Sequence, residues 1–342
     1  MTVGIRRRAG VALTLLMVFA AAITARAQAP VVPRPSRPVH TFSIVARDQS
    51  TGEMGVAVQS HWFAVGPIVP WAEAGVGVVA TQSLVDPAYG PLGLELMRAG
   101  RSAPEALKSL LAGDEASDVR QVAMIDAQGR VAAHTGAKSI QAAGHIVGQN
   151  YSVQANLMLN GEVWPAMARA FESTPGDLAD RMLAALDAAQ AVGGDIRGKQ
   201  SAALIVVRAK STGRPWADRE FDLRVDDNPD PLRELRRLVT LQRAYHHMNA
   251  GDVAMEKKDT DAAQREYGAA AELAPDNVEI VFWHAVALVN KGHVEDSLPL
   301  FRRVFEKDPN WATLTPRLVQ SGLLINDPKV IERILSVARK EK

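Results

Sequence analysis

Cysteine is absent from the 342 residues of this chain. Its absence excludes disulfide bonds, zinc sites built on thiolates and cysteine nucleophiles, so packing alone must stabilise the fold. An excess of charge is also missing, because 39 Lys and Arg stand against 38 Asp and Glu and the net charge is +1. A near-neutral chain without long runs of one sign is not typical of proteins that bind nucleic acid or anionic membranes.

Several catalytic and metal-binding motifs are missing as well. The chain has no phosphate-binding glycine-rich loop, no His-Glu-x-x-His segment and no Gly-x-Ser-x-Gly elbow. Among its histidines, His246, His247 and His284 fall on helical segments without a ligand partner one turn away, so surface or packing roles are favoured. We therefore expect no metal site and no cofactor.

The N-terminal segment has the order of a secretory signal. Arginines, an apolar run over residues 11–23 and small residues at Ala25 and Ala27 follow one another. The run is short for a helix that crosses a bilayer, although an uncleaved membrane anchor is the alternative. We expect residues 1–27 to be a signal peptide, residues 28–40 to be a Pro-rich linker or propeptide, and the mature protein to be periplasmic or secreted.

Residues 41–228 alternate strand-like and helical segments. The runs TFSIVAR and MGVAVQS are joined by a turn containing Ser, Thr and Gly, which is typical of a hairpin. Several strands are apolar on both faces, as Val56, Ala57 and Val58 show, so their sheets must lie between other layers. The order predicts an α+β fold, a four-layer αββα sandwich with two sheets face to face and helices outside.

After a cluster of Asp, Asn and Pro the chain becomes helical and repetitive. We expect a linker helix over residues 229–243 and an all-α helical repeat module over residues 244–342. Pro275 and Pro309 are 34 residues apart, and small and aromatic residues recur with the same offset. This spacing resembles a short tetratricopeptide-like module, and the resemblance implies contact with a peptide or protein.

Thr41 heads the first strand of the sheet segment, and its hydroxyl is a candidate nucleophile. A threonine hydroxyl reacts poorly unless a base removes its proton. One solution places the threonine first in the chain, so that its own α-amine, with a reference pKa of about 7.7–8.0, accepts the proton. Without such a terminus, a Thr at the head of a strand is simply a residue that favours strands.

A family likeness is carried by the segments TFSIVARDQSTGEMGVAVQSHWFAVG, YGPLGLELMRAG, HIVGQNYSVQANLML and GGDIRGKQSAALIVVR. From Thr41 to about Leu238 the chain resembles the bacterial domain of unknown function 1028. The resemblance implies the N-terminal-nucleophile hydrolase superfamily, its αββα sandwich, and a correspondence between Thr41 and the threonine that follows the initiator Met in many relatives. This chain departs from that pattern, because signal cleavage leaves residues 28–40 in place. An active enzyme then requires a second cut between His40 and Thr41.

Supporting side chains are expected at the ends of strands. Ser60 and His61 end the strand that pairs with the first one, so both can assist Thr41 as catalytic residues, although His61 can equally be a half-exposed strand-end residue. Thr81 and Gln82 end the third strand and can offer oxyanion or amide contacts to a substrate.

Polar residues elsewhere in the segment complete the predicted substrate site. Asn156 lies in an otherwise apolar strand and must be hydrogen-bonded, either within the core or to a substrate. Asp195, Arg197 and Gln200 lie on a loop flanked by glycines, where Arg197 can bind a substrate carboxylate with Asp195 orienting it. The alternative for these two charged residues is a structural ion pair that closes the loop.

Two functions are consistent with these features. The first is a secreted amide-bond hydrolase, in which Thr41 forms an acyl-enzyme with a small amide or peptide and water releases the acid. The second is a catalytically silent αββα scaffold whose repeat module binds a protein or peptide in the cell envelope. Neither function involves nucleic acid or stable membrane insertion after signal cleavage, and both are compatible with a homo-oligomer.

Overall fold

The structure is a computed structural model that describes residues 39–338. The expected signal peptide (1–27) and most of the expected Pro-rich segment (28–38) lie outside the described residues. The described residues all belong to one compact unit. They combine two antiparallel sheets with a helical C-terminal region, which confirms the α+β class.

The strands of residues 39–338 form two antiparallel sheets. In chain order they are β1 (Thr41–Arg47), β2 (Met54–Ser60), β3 (Pro70–Glu73), β4 (Gly77–Ser83), β5 (Arg120–Asp126), β6 (Val131–Thr135), β7 (Gly144–Gly148), β8 (Tyr151–Ala155), β9 (Ser201–Val207) and β10 (Arg219–Val225). The first sheet has the order β10-β9-β2-β1-β8-β7 and the second has the order β3-β4-β5-β6. β1 therefore lies in the middle of the larger sheet, with Thr41 opposite Ser60 of β2.

The α-helices of residues 39–338 form two pairs that lie between strands, after β4 and after β8, and seven further helices follow β10. They are α1 (Tyr89–Arg98), α2 (Ala103–Gly113), α3 (Val163–Ser173), α4 (Leu178–Ala191), α5 (Pro231–Glu256), α6 (Thr260–Leu273), α7 (Val278–Asn290), α8 (Val294–Lys307), α9 (Asn310–Leu314), α10 (Arg317–Gln320) and α11 (Pro328–Ser336). α2 begins after Ser102, which exchanges hydrogen bonds with Glu105 in a capping box.

Apolar side chains of the strands alternate between two faces of each sheet. Phe42 and Ile44 of β1 belong to a cluster with α3, α4 and α5, whereas Val45 belongs to a cluster between the two sheets. On the second sheet, Val79 packs in a cluster with α1 and α2, and Ile125 faces the first sheet. Each sheet is thus covered on both faces, which explains why its strands lack a polar side.

α5 belongs both to the sheet region and to the helical region. Leu235 and Val239 in its first half lie in the same apolar cluster as the larger sheet. Ala244 and Met248 in its second half lie in a cluster with α6 and α7. The helix is continuous over Pro231–Glu256, so it passes through the boundary expected at residue 243 without a break.

Leu235→Ala should lower the free energy of unfolding by about 2–5 kcal/mol, because its fully buried side chain would leave a cavity between α5 and the sheet. Leu238→Ala is a matched control on the same helix, since Leu238 is only partly buried against that cluster. Urea denaturation followed by circular dichroism measures both changes. Equal losses in the two variants would contradict the packing of α5 on the sheet.

The helices after α5 repeat a spacing. α6 and α8 both contain 14 residues, and their first residues, Thr260 and Val294, are 34 positions apart. At the crossing of α5 and α6 a Cβ on Gly251 would lie 2.6 Å from the ring of Tyr267, so only glycine fits there.

Among residues 39–338, none of the helices is long and apolar enough to cross a membrane.

Candidate functional site

Thr41 begins β1 with its side chain fully buried. Its hydroxyl lies 3.0 Å from the carbonyl oxygen of Val39 and 3.2 Å from Ser60 Oγ, and its single proton serves one of these acceptors at a time. The carbonyl oxygen of Thr41 accepts hydrogen bonds from the Asn156 backbone N–H at 3.1 Å and from Gln82 Nε2 at 3.2 Å. Hydrogen bonds therefore fix both the hydroxyl and the carbonyl group of Thr41.

The peptide bond before Thr41 has an unusual environment. The carbonyl oxygen of His40 accepts one hydrogen bond from Ser60 Oγ at 2.5 Å and another from Arg197 Nη2 at 3.0 Å. Hydrogen bonds consequently run from Thr41 Oγ1 through Ser60 Oγ to this carbonyl oxygen. Two side-chain donors on one carbonyl polarise it and can stabilise negative charge on its oxygen.

Arg197 is held in place by Asp195. Its Nε and Nη2 atoms donate to the two carboxylate oxygens at 3.0 and 2.7 Å, and the backbone N–H of His61 donates to the same carboxylate at 3.1 Å. The Asp195 side chain is 0% exposed, whereas that of Arg197 is 29% exposed. The pair therefore closes the loop and also directs one guanidinium nitrogen at the His40 carbonyl.

Buried amide side chains connect the two sheets behind Thr41. Gln121 Nε2 donates to the carbonyl oxygen of Ala155 at 2.9 Å. Its Oε1 atom accepts from Asn156 Nδ2 at 2.9 Å and from Gln82 Nε2 at 2.7 Å. The amide oxygen of Asn156 lies 2.9 Å from Nδ1 of His40. These contacts order the strand ends around the His40–Thr41 bond.

The environment of His40 favours the neutral form of its imidazole. Burial is the main cause that lowers the pKa of its imidazole below the ordinary value of 6.5, and the positive charge of Arg197 lowers it further, against the opposing effects of Asn156 and Asp195. Because the amide oxygen of Asn156 can only accept, Nδ1 of His40 carries the proton and donates it.

A cavity of about 460 Å³ opens beside His40. Its walls are formed by His40, His61, Trp62, Phe63, Leu157, Arg197 and Gln200. His40 is 3% exposed and Thr41 is 0% exposed. In the uncut chain the cavity therefore ends at His40 and does not reach the hydroxyl of Thr41.

The predicted site residues divide into two groups. Ser60, Gln82, Asn156 and Arg197 contact His40 or Thr41 directly, and Asp195 acts through Arg197. The other three lie differently. His61 and Gln200 line the cavity, where Gln200 also donates to Asp227 at 3.0 Å, and the hydroxyl of Thr81 donates to the carbonyl of Asp86 at 3.1 Å.

Gln121 and Gln154 were not predicted from the sequence, and His40 was predicted only as the residue before the cut. Gln154 Nε2 donates to Ser43 Oγ at 2.6 Å, and Ser43 Oγ donates to Gln82 Oε1 at 2.6 Å. Gln154 therefore belongs to the same buried network as Gln82 and Gln121. The signal that selected Asn156, a polar residue within an apolar strand, applies equally to them. Within residues 39–338 no group of three or more His, Asp or Glu residues is arranged to hold a metal ion.

Comparison with known proteins places this site within a family. The profile of DUF1028, a family of unknown function, matches residues 41–235. The chain belongs to the DUF1028 family. The crystal structure of protein SPO2555 from Silicibacter pomeroyi, described as DUF1028, is similar with 29% identity and a TM-score of 0.53, over 66% of this chain and 91% of that chain. Among curated proteins, none matches the chain.

The DUF1028 match begins at Thr41 and ends within α5. It therefore contains both sheets and every residue that hydrogen-bonds to Thr41 except Val39, and the family resemblance expected from the sequence is confirmed.

Proposed function

We propose that the DUF1028 segment is an N-terminal-nucleophile amide hydrolase and that a cut between His40 and Thr41 releases its nucleophile. The observation that supports this is the pair of side-chain donors on the His40 carbonyl, next to the hydroxyl of the following residue. A buried backbone carbonyl usually pairs with a backbone N–H. The order of helices, sheet, sheet and helices also agrees with the αββα sandwich of that superfamily.

The proposed cut follows the hydrogen bonds around His40. Thr41 Oγ1 attacks the carbonyl carbon, its proton passes to Ser60, and the proton of Ser60 moves to the carbonyl oxygen, where Arg197 stabilises the developing charge. The bond to the Thr41 nitrogen then breaks, and the proton on the oxygen transfers to that nitrogen. An ester between His40 and Thr41 Oγ1 remains. Water hydrolyses the ester and leaves a His40 carboxylate, a free Thr41 amine and a free hydroxyl.

Hydrolysis of an external amide would use the same groups. The new α-amine of Thr41 accepts the hydroxyl proton as Oγ1 attacks, the leaving amine takes that proton, and water releases the acid from the acyl-enzyme. Ser60 and Arg197 then donate to the substrate carbonyl oxygen, since His40 has left. Loss of His40 also opens the neighbouring cavity to Thr41. The signal-like N-terminus favours a periplasmic or secreted location and a small amide or peptide as substrate.

The intact mass of the exported protein tests this proposal. We expect a chain that begins at Thr41 and hydrolyses amides. A chain that begins near Gln28, and that hydrolyses an amide while its His40–Thr41 bond is intact, would refute the mechanism, because the α-amine would still be part of a peptide bond.

A binding function for the helical region is our second proposal. A groove of about 660 Å³ between α5, α6 and α7 presents Tyr245 and Trp283 together with the carboxylates of Asp252, Glu256 and Glu279. Aromatic side chains beside several carboxylates suit a basic peptide, as a tetratricopeptide-like module would bind. The same mass measurement separates the two functions, since a chain that stays uncut before Thr41 and hydrolyses nothing would leave only this scaffold role in the envelope.

A further inference from the structure

We propose that Val39 and His40 occupy the positions of the acyl part of the substrate. The site would then take peptide-like acyl groups that end in a residue with a neutral hydrogen-bond donor and have a small β-branched residue before it. This inference rests on the proposed function and adds the substrate class to it. It also predicts that the segment released by the cut can bind to the site again and compete with substrates.

Val39 is held as the residue of an added strand would be. Its N–H donates to the carbonyl of Ser83 at 2.6 Å, and its carbonyl accepts from the Ser83 N–H at 2.9 Å. Its side chain is fully buried in the cluster between the sheets, with Val65 and Val69. Main-chain pairing of this kind accepts many sequences, and the buried slot selects the side chain. A charged side chain is excluded, because its charge would be buried without a partner.

The neighbouring position selects a hydrogen-bond donor. The backbone carbonyl of Ala155 can only accept, so Gln121 must present Nε2 to it and Oε1 to Asn156 Nδ2. Asn156 is thereby oriented with its amide oxygen towards His40. A donor side chain satisfies this buried oxygen, whereas an apolar side chain leaves it unpaired and a carboxylate repels it.

The cut preserves these contacts for the product acid. The oxygen of His40 that accepts from Ser60 and Arg197 becomes part of a carboxylate, while the new α-amine of Thr41 is a second positive group nearby whenever it is protonated. Hydrogen bonds between charged partners are about twice as strong as neutral ones. A peptide acid ending in Val-His should therefore compete with substrates.

The test uses the protein that begins at Thr41 and the peptide acid acetyl-Pro-Val-His, with the dissociation constant measured by calorimetry. Three matched peptides replace His by Ala, His by Glu, or Val by Asp. We expect the Ala peptide to bind at least about tenfold more weakly, as the loss of one buried hydrogen bond predicts, and the Glu and Asp peptides more weakly still. Equal binding of the His and Ala peptides, or no binding of either, would overturn the assignment.

Asn156→Ala identifies the group that reads the His side chain. In this variant the His and Ala peptides should bind with similar dissociation constants. Thr81→Ala is the control, because its hydroxyl is bonded to Asp86 and the preference should persist. A preference that survives in Asn156→Ala would assign the selection to another residue and contradict the proposal. If Asn156→Ala does not fold, the peptide series with the unmodified protein still decides the question.

A coumarin amide of acetyl-Pro-Val-His separates this inference from the proposed function. Hydrolysis of the amide with inhibition by the peptide acid supports both. Binding of the acid without hydrolysis of any amide would refute the hydrolase while the two positions for Val and His stand. Hydrolysis of unrelated amides, with neither binding nor inhibition by the peptide acid, would overturn the substrate class alone.

Discussion

Thr41→Ala is expected to leave the exported chain uncut before residue 41 and to lower amide hydrolysis by at least about 1,000-fold, because no other hydroxyl takes the place of the nucleophile. The substitution removes the oxygen that lies 3.2 Å from Ser60 Oγ at the His40–Thr41 bond. Intact mass spectrometry measures the cut, and release of ammonia or amine from an amide panel measures hydrolysis. The fold should persist, since the loss of one buried hydroxyl costs only about 1 kcal/mol.

Two further substitutions on β1 serve as controls. Thr41→Ser keeps the hydroxyl and should still be cut. Ser43→Ala removes the other buried hydroxyl on the same face of β1, which is bonded to Gln82, and should be cut normally. A Thr41→Ala chain that is still cut before residue 41, or still hydrolyses an amide, would assign the nucleophile to another residue, with Ser43 the next candidate.

The position of Thr41 could be predicted because it depends on local sequence. The turn before Glu53 contains Gly52, which has a φ of +77°, and this turn pairs β1 with β2. Once the hairpin is in register, Thr41 must lie opposite Ser60. A hydroxyl pair at the head of a hairpin thus follows from the sequence before any tertiary contact is known.

The contacts of Gln82 and Thr81 show where the sequence analysis was too coarse. Neighbouring residues of a strand point to opposite faces, so the two side chains lie on opposite faces of β4. Gln82 contacts the carbonyl of Thr41, and Thr81 bonds Asp86 on the other side. The packing of β4 against the larger sheet decides whether the side chain of residue 81 or that of residue 82 points towards Thr41. Hydrophobic periodicity does not reveal this packing, because both faces of β4 are covered.

The network of amide side chains lies beyond what a single sequence shows. Gln82 of β4 and Gln121 of β5 lie opposite each other in the smaller sheet, and Asn156 after β8 contacts Gln121 only because the two sheets stack. The role of α5 is similar. Leu235 and Val239 have the spacing of a buried helix face, but only the structure shows that the larger sheet covers them.

Ser60→Ala should slow the cut before Thr41 by about 100- to 1,000-fold, the effect of removing one donor from an oxyanion site. The hydroxyl of Ser60 links Thr41 Oγ1 to the carbonyl oxygen of His40, so its loss removes both a proton path and a hydrogen bond to the reacting carbonyl. Cell-free synthesis of the full chain, sampled over time by intact mass spectrometry, measures the rate. Ser60→Thr, which keeps a hydroxyl, should restore most of it.

Ser201→Ala is a matched control on the adjacent strand. Ser201 lies opposite Ser60 in the sheet and is equally buried, but its hydroxyl donates to the carbonyl of Trp62 at 2.6 Å. Equal slowing by both substitutions would attribute the effect to packing, and an unchanged rate in Ser60→Ala would rule out the proton path. Arg197 still donates to the His40 carbonyl in Ser60→Ala, so the residual rate should fall again in the double variant with Arg197→Lys, which keeps the charge beside Asp195 and loses the planar fork.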